Sequence, residues 1–285
     1  MSNYPFLDCA GRRLPLDRPL VMGVLNVTPD SFSDGGRHAD LDAALAHARA
    51  MVAAGADIID VGGESTRPGA EPVPVQAELD RVIPVLERLR AELDVALSVD
   101  TSKPAVMRAA LDSGAGLLND VNGFRAPGAM EVASSGTAAV CVMHMQGQPR
   151  SMQERPQYAD VVAEVSDFLV GQAKALRALG VAGERIVLDP GFGFGKTLEH
   201  NLALFRSLPR LAALGYPLLV GVSRKSMVGA LLGDRPVSDR VVGSVTAALL
   251  AVRAGARILR VHDVRDTVDA LTIQRVLEIE QNLEG

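Results

Sequence analysis

The chain is short of the groups that would tie it to a membrane, a metal cluster or a polyanion. None of its apolar runs reaches the roughly 18 residues that a membrane span requires. Its two cysteines, Cys9 and Cys141, cannot supply a metal tetrad, and in a chain of 285 residues they are poor grounds for a disulfide. Cys141 lies inside an apolar run and reads as a small buried hydrophobe. With 29 Lys and Arg against 34 Asp and Glu, the net charge is −5 and there is no basic excess to hold a nucleic acid. Tryptophan is absent and phenylalanine occurs only seven times, so where the few aromatics fall is informative. There is no low-complexity tract, and residues 1–12 carry charges and a proline where a secretory peptide needs an apolar core. These absences lead to the expectation of a soluble, cytoplasmic protein with neither nucleic acid nor membrane as partner.

What is present is a cadence. Eight times, an apolar run rich in β-branched residues ends in polar or glycine residues and is followed by an amphipathic stretch; the runs are 20–26, 56–63, 95–100, 116–122, 137–144, 185–191, 216–223 and 256–263. Continuous rather than alternating hydrophobicity marks strands buried on both faces, as in parallel sheets covered by helices. Eight such units predict an α/β fold, a (β/α)8 TIM barrel, with residues 1–285 as one domain. Helical periods are read at 41–52 before Gly55, 75–93 with a kink expected at Pro84, 103–113, a short 128–136, then 160–180, 198–215, 238–255 and 265–280. Residues 7–16, with Ala10-Gly11-Arg12 at their centre, fall outside the repeat and predict a short N-terminal hairpin closing the barrel floor.

Active sites of such barrels lie at the carboxyl ends of the strands. The first run continues into Asn26-Val27-Thr28-Pro29-Asp30-Ser31-Phe32-Ser33-Asp34-Gly35-Gly36 and the second into Gly62-Gly63-Glu64-Ser65-Thr66-Arg67-Pro68-Gly69. Both are long for βα loops and offer hydroxyls, an amide and a guanidinium, groups that hold phosphate or metal-bound phosphate. The alternative is that they are solvated connections. Three further runs end in Ser98-Val99-Asp100, Leu118-Asn119-Asp120 and Val187-Leu188-Asp189. Buried carboxylates and amides need partners, so together they point to a polar ligand with a defined hydrogen-bonding edge; singly, each has the alternative of capping a helix or bonding loop backbone.

The stretch from Asp189 through Gly191, Gly193 and Gly195 to Lys196 has the look of a nucleotide-binding loop, but Pro190 stands where the first glycine of G-x-x-x-x-G-K-[ST] belongs. Its glycines are read instead as letting backbone approach a flat ligand, with a phenylalanine as a wall. Phe32, Phe124, Phe192 and Phe194 all fall just beyond strands, which suggests a planar substrate. After the seventh run comes Ser223-Arg224-Lys225-Ser226-Met227, and the eighth carries Arg260 and His262, two apart and therefore on one side of a strand. Lys225, Arg260 and His262 would make a cationic patch; taken singly, His262 also reads as a neutral core histidine and Lys225 as a surface lysine.

In combination these motifs closely resemble those of the dihydropteroate synthases: the two long loops, Ser98 to Thr101, Asn119 to Gly123, Met143 to Gly147, Asp189 to Lys196, Ser223 to Met227 and Arg260 to Asp263, in order and over nearly the whole chain. The resemblance implies condensation of 6-hydroxymethyl-7,8-dihydropterin diphosphate with 4-aminobenzoate, giving 7,8-dihydropteroate and diphosphate by a dissociative substitution. It implies that Asp100, Asn119, Asp189 and Lys225 bind the pterin edge, with Met143, Phe194 and Arg260 around its plane. Asn26 would hold Mg2+ on the diphosphate, and Thr66, Arg67, Arg260 and His262 would bind phosphate oxygens. Phe32, Thr66, Pro68, Phe194 and Ser226 would frame the aminobenzoate pocket. A homodimer is implied as well. Two other readings stay open: a pterin-binding methyltransferase of the same superfamily, which would need neither long loop nor the Arg260, His262 pair, and a catalytically silent paralogue that binds pterin or supports another enzyme.

Overall fold

A computed structural model describes residues 4–28, 36–66, 69–148 and 150–281. Strands β1 (Phe6–Cys9) and β2 (Arg12–Pro15) form the expected hairpin, antiparallel with Phe6 opposite Pro15. The other eight are β3 (Leu20–Asn26), β4 (Ile58–Gly62), β5 (Ala96–Asp100), β6 (Leu117–Asp120), β7 (Ala139–Met143), β8 (Ile186–Asp189), β9 (Leu219–Val220) and β10 (Ile258–Val261). All their pairings are parallel, in the order β8-β7-β6-β5-β4-β3-β10-β9. The ring is closed by one bridge, Leu188 to Leu218, with Leu188 N–H donating to Pro217 O at 3.0 Å. This is the predicted (β/α)8 barrel.

The two faces of each strand go to different cores. Val21, Ile59, Leu97, Leu118, Val140, Leu188, Val220 and Leu259 face outward and pack with the helices in one large cluster. The alternate residues, Leu20 and Met22, Ile58, Ala96, Leu117, Cys141, Val187, Leu219 and Ile258, fill the barrel interior, where Leu7, Cys9 and Leu16 of the hairpin region close the floor. Both cysteines are free and buried, and burial pushes the Cys9 thiol up to about 12. Because side chains alternate with a period of two, five of the eight inward rows continue toward the mouth in polar residues: Ile58 leads to Asp60, Ala96 to Ser98 and Asp100, Leu117 to Asn119, Val187 to Asp189, Ile258 to Arg260 and His262, whereas Cys141 leads to Met143. The interior is apolar at the floor and largely polar along these rows at the mouth.

The helices are α1 (Gly36–Ala53), α2 (Val75–Glu92), α3 (Pro104–Asp112), α4 (Ala129–Ser135), α5 (Val161–Ala178), α6 (Leu198–Arg206), α7 (Leu208–Ala212), α8 (Ser226–Leu231), α9 (Val241–Arg253) and α10 (Val264–Gln281). Asp160 caps α5, its carboxylate accepting from the amides of Val162 and Ala163, each at 3.0 Å. Two expectations need correction. The helical period at 198–215 is broken at Ser207, because Pro209 lacks the N–H that would continue it. The segment after the seventh run, where no helical period is read before 238, contains the short helix α8 starting at Ser226.

Candidate active site

At the mouth, Arg260 is held by two carboxylates from neighbouring strands: its Nε donates to Asp60 Oδ2 at 2.7 Å and its Nη2 to Asp100 Oδ2 at 2.7 Å. Asn119 Nδ2 also donates to Asp60 Oδ2, at 3.0 Å, so one fully buried carboxylate orients both the guanidinium and the amide. Burial works against the Arg260 charge, but Asp60 and Asp100 overcome it and hold its pKa above the ordinary value. Burial pushes Asp100 up to about 7, with Arg260 opposing and Asp60 adding to the rise. The second oxygens of Asp60 and Asp100 and the Ser98 hydroxyl are buried without a partner. Unpaired acceptors in a mouth are what a ligand bearing N–H donors would satisfy. Asp60 is the functional residue that strand-end reasoning missed. A charged residue in the middle of Ile58-Ile59-Asp60-Val61 was the available signal.

Across the barrel, Asp189 is buried and its Oδ1 accepts the Gly191 amide at 2.7 Å, which fixes the carboxylate; burial raises its pKa, against Lys225. Lys225 donates to Phe192 O and lies over the Phe194 ring, 4.6 Å from its centre; burial lowers its pKa to about 8. Met143, Val121, Met145 and Met152 form a separate small cluster against which the half-buried Phe194 packs. The mouth thus has one polar side and one apolar wall, suited to a flat ligand with a polar edge. The expected aromatic set is smaller than the sequence suggests. Phe124 and Phe192 are buried in the outer core, and Phe192 packs against Phe205. The glycines also act differently: a Cβ on Gly191 or Gly195, both at positive φ, would collide with the carbonyl oxygen of His144 or Gln146. They let the loops after β7 and β8 pack on each other. Lys196 ties that junction, its Nζ donating to Gly191 O at 2.9 Å, Phe194 O at 3.0 Å and His144 O at 3.2 Å, and burial lowers it to about 7. Asp120 is likewise structural, accepting from the amides of Asn122 at 2.8 Å and Phe124 at 2.7 Å.

Asn26 ends β3 beside Gly62, whose missing side chain leaves the Asn26 amide and Asp100 facing one another over it. Thr66 is half-buried in the segment after β4, and Ser226 is exposed at the start of α8. Phe32, Arg67 and Pro68 lie outside the described residues. The cationic patch exists in modified form: Arg260 is already paired, Arg224 is bound to Asp263, and His262 Nδ1 is 3.1 Å from Ser223 Oγ. Burial, then Arg260 and Arg224, press the His262 pKa down to about 4, so the ring is neutral at pH 7. A titration of His262 followed by NMR should therefore have its midpoint well below the ordinary 6.5, and diphosphate should raise it. An unshifted midpoint in the empty protein would contradict this electrostatic picture. Because the folded pKa is depressed, His262 contributes stability present above pH 6.5 and lost as the pH falls through about 4.

The family model described as pterin binding enzyme matches residues 22–262, which span this closed barrel and the paired carboxylates, amide and cations at its mouth. The dihydropteroate synthase of Escherichia coli K12 is 51% identical over 277 residues, covering 97% of this chain and 98% of that one. The Xanthomonas albilineans dihydropteroate synthase structure with 4-aminobenzoic acid is 54% identical with a TM-score of 0.91, covering 96% of this chain and 98% of that one. The Burkholderia cenocepacia dihydropteroate synthase complexed with 7,8-dihydropteroate is 52% identical, with a TM-score of 0.89 and 98% of each chain covered. The chain belongs to the dihydropteroate synthase family, which sets the methyltransferase reading aside.

Proposed function

We propose that the polar side of the mouth holds a pterin by its hydrogen-bonding edge while the segments after β3, β4, β9 and β10 hold its diphosphate and the incoming arylamine. The activity is that of a dihydropteroate synthase in folate synthesis: 6-hydroxymethyl-7,8-dihydropterin diphosphate and 4-aminobenzoate give 7,8-dihydropteroate and diphosphate. The observation that carries the assignment of roles is Arg260, fixed between Asp60 and Asp100 where the pterin floor meets the diphosphate side. In this reading Asp100, Asn119, Asp189 and Lys225 bind the pterin edge, and Met143 and Phe194 line its face. Thr66, Arg67, Arg260 and His262 bind the diphosphate, and Phe32, Thr66, Pro68, Phe194 and Ser226 frame the arylamine pocket.

The bond between the pterin methylene and the diphosphate oxygen ionises, leaving a cation delocalised into the electron-rich ring. Arg260 is preoriented toward the anionic group that departs, so its stabilising interaction needs no rearrangement as charge develops. His262, neutral beforehand, can take up the proton that the amine nitrogen sheds after attack, its pKa raised by the charge gathered on the diphosphate. An arylamine attacks a cation without prior deprotonation, so no dedicated strong base is required of the chain.

Among the described residues no three His, Cys, Asp or Glu side chains are grouped to hold a metal. The Asn26 side-chain oxygen, facing Asp100 over Gly62, is of the ligand type Mg2+ takes, so Asn26 would hold Mg2+ arriving with the diphosphate. Bound there, Mg2+ would neutralise leaving-group charge. Asn26→Ala should slow turnover and weaken the response to Mg2+ while barely changing affinity for a pterin without diphosphate; an unchanged Mg2+ dependence of turnover would remove Asn26 as a ligand. The whole reading is tested by diphosphate release, expected only when pterin diphosphate, 4-aminobenzoate and Mg2+ are all present. A protein that binds pterin but releases nothing would be the silent paralogue.

The homodimer reading is supported by Leu231, Val237, Val242 and Leu250, exposed apolar side chains on and around α8 and α9, with Ile273, Val276 and Leu277 on α10. Val242→Glu should convert a dimer seen by light scattering into a monomer; a monomeric parent would refute the reading. No helix among the described residues is long and apolar enough to cross a membrane.

A further inference from the structure

Between β4 and α2 the chain leaves the mouth at Gly63 and rejoins the barrel wall at Val73, and a single carboxylate holds both ends. Glu64 Oε1 accepts the Val73 amide at 2.7 Å and Glu64 Oε2 accepts Lys103 Nζ at 2.5 Å. The same Nζ donates at 2.5 Å to Oε2 of Glu78, a fully buried residue in the first turn of α2. Arg81 donates to Gly63 O at 2.8 Å, and a Cβ on Gly63 would press on Val82 and Glu78. Lys103 itself comes after β5, three residues past Asp100. The loop leading from the pterin floor into α3 thus reaches across to grip the stem that carries Ser65 and Thr66.

Nothing in the barrel's packing asks for charge at this point, since apolar side chains would hold a stem at lower desolvation cost. Three charged groups sharing short hydrogen bonds instead select one geometry, because any other leaves a buried carboxylate unpaired. Burial opposes the Lys103 charge, but Glu64 and Glu78 hold its pKa above the ordinary value, so Lys103 stays charged at neutral pH.

We infer that Lys103, with Glu64 and Glu78, is a positioning residue for capture of the arylamine: it fixes the stem that presents Thr66 to the mouth and thereby sets whether the pterin cation meets 4-aminobenzoate or water. This rests on the dihydropteroate synthase reading of the site. In both outcomes the methylene C–O bond breaks and diphosphate leaves with the electron pair. In one, the amine nitrogen forms the C–N bond and sheds a proton, giving 7,8-dihydropteroate. In the other, water forms a C–O bond and sheds a proton, giving 6-hydroxymethyl-7,8-dihydropterin.

The test compares wild type with Lys103→Met and with Glu64→Gln, which keeps an oxygen for Val73 but loses the ion pair. Affinity for 6-hydroxymethyl-7,8-dihydropterin by calorimetry should stay within about twofold, while KM for 4-aminobenzoate rises roughly tenfold or more and the ratio of dihydropteroate to hydroxymethylpterin falls by a similar factor, the scale expected when a group is displaced from a reacting geometry. Folded variants with wild-type KM and product ratio would overturn the inference, as would a matched loss of pterin affinity, which would make the clamp a general support. Should Lys103→Met fail to fold, Lys103→Met combined with Glu78→Gln removes the pair together and is read by the same measures. A wild-type protein making no dihydropteroate would overturn the activity itself, and the positioning role with it.

Discussion

Replacing Arg260 by methionine should destabilise the empty protein by about 3–5 kcal/mol near pH 8, the usual penalty for leaving a buried carboxylate without its cation. Asp60 and Asp100 each already have one buried oxygen without a partner; Asp60 would keep the Asn119 amide at 3.0 Å, whereas Asp100 would lose its side-chain donor. The loss should shrink toward pH 6. Arg260 opposes the raised pKa of Asp100, so without it that carboxyl keeps a proton to a higher pH than the wild-type value of about 7. A folded pKa above the unfolded 3.8 means stability present below 3.8 and lost as pH rises through the folded value, at no more than about 1.4 kcal/mol per pH unit. Urea unfolding at pH 6 and pH 8 checks this, and equal penalties at both would sink it. Adding Asp60→Asn should return part of the stability but none of the turnover, because the guanidinium facing the diphosphate is still missing.

For Asp189→Asn the expected result is a well-folded protein with pterin affinity weakened by about 2 to 4 kcal/mol, from the loss of charge-assisted bonds and the creation of a donor facing a ligand donor. The carboxylate already accepts the Gly191 amide at 2.7 Å, so the oxygen of the asparagine amide is expected to stay there and its NH2 to point at the ligand. Calorimetry with the pterin, alongside a thermal melt, separates affinity from folding. Wild-type affinity in a folded variant would refute the role.

How much of the barrel and its mouth is legible in the sequence depends on which physical signal each residue leaves. The barrel is readable because continuous apolar runs record burial on both faces; β3 falls on residues 20–26 as expected. The seventh run, by contrast, spans 216–223 in the sequence and yields only Leu219–Val220, since Pro217 has no N–H to give a ladder and the residues beyond Val220 already turn toward the site. Strand-end polarity finds Asp100, Asn119, Asp189, Arg260 and His262, whose inward rows turn polar near the mouth. It cannot find Asp60, which lies mid-strand, nor separate Asn119 from Asp120, whose neighbouring positions face opposite sides and serve opposite purposes. Nor can composition tell Phe194, at the mouth, from Phe192, in the core. The two stand two residues apart, which a strand's alternation would put on one side, and loops carry no period to separate them.

The seam at Leu188 and Leu218 has a consequence for how the barrel breathes. Seven of its eight junctions are ladders of paired residues, whereas this one is a single rung. Local opening favours the place with fewest bonds to break, so the cylinder is mechanically a split ring. The residues flanking the split on either side lead directly to Asp189 and to Lys225. A molecule gripped by both would act as a clasp across the gap, and the free energy of its binding would appear as resistance of the whole ring to being pulled open.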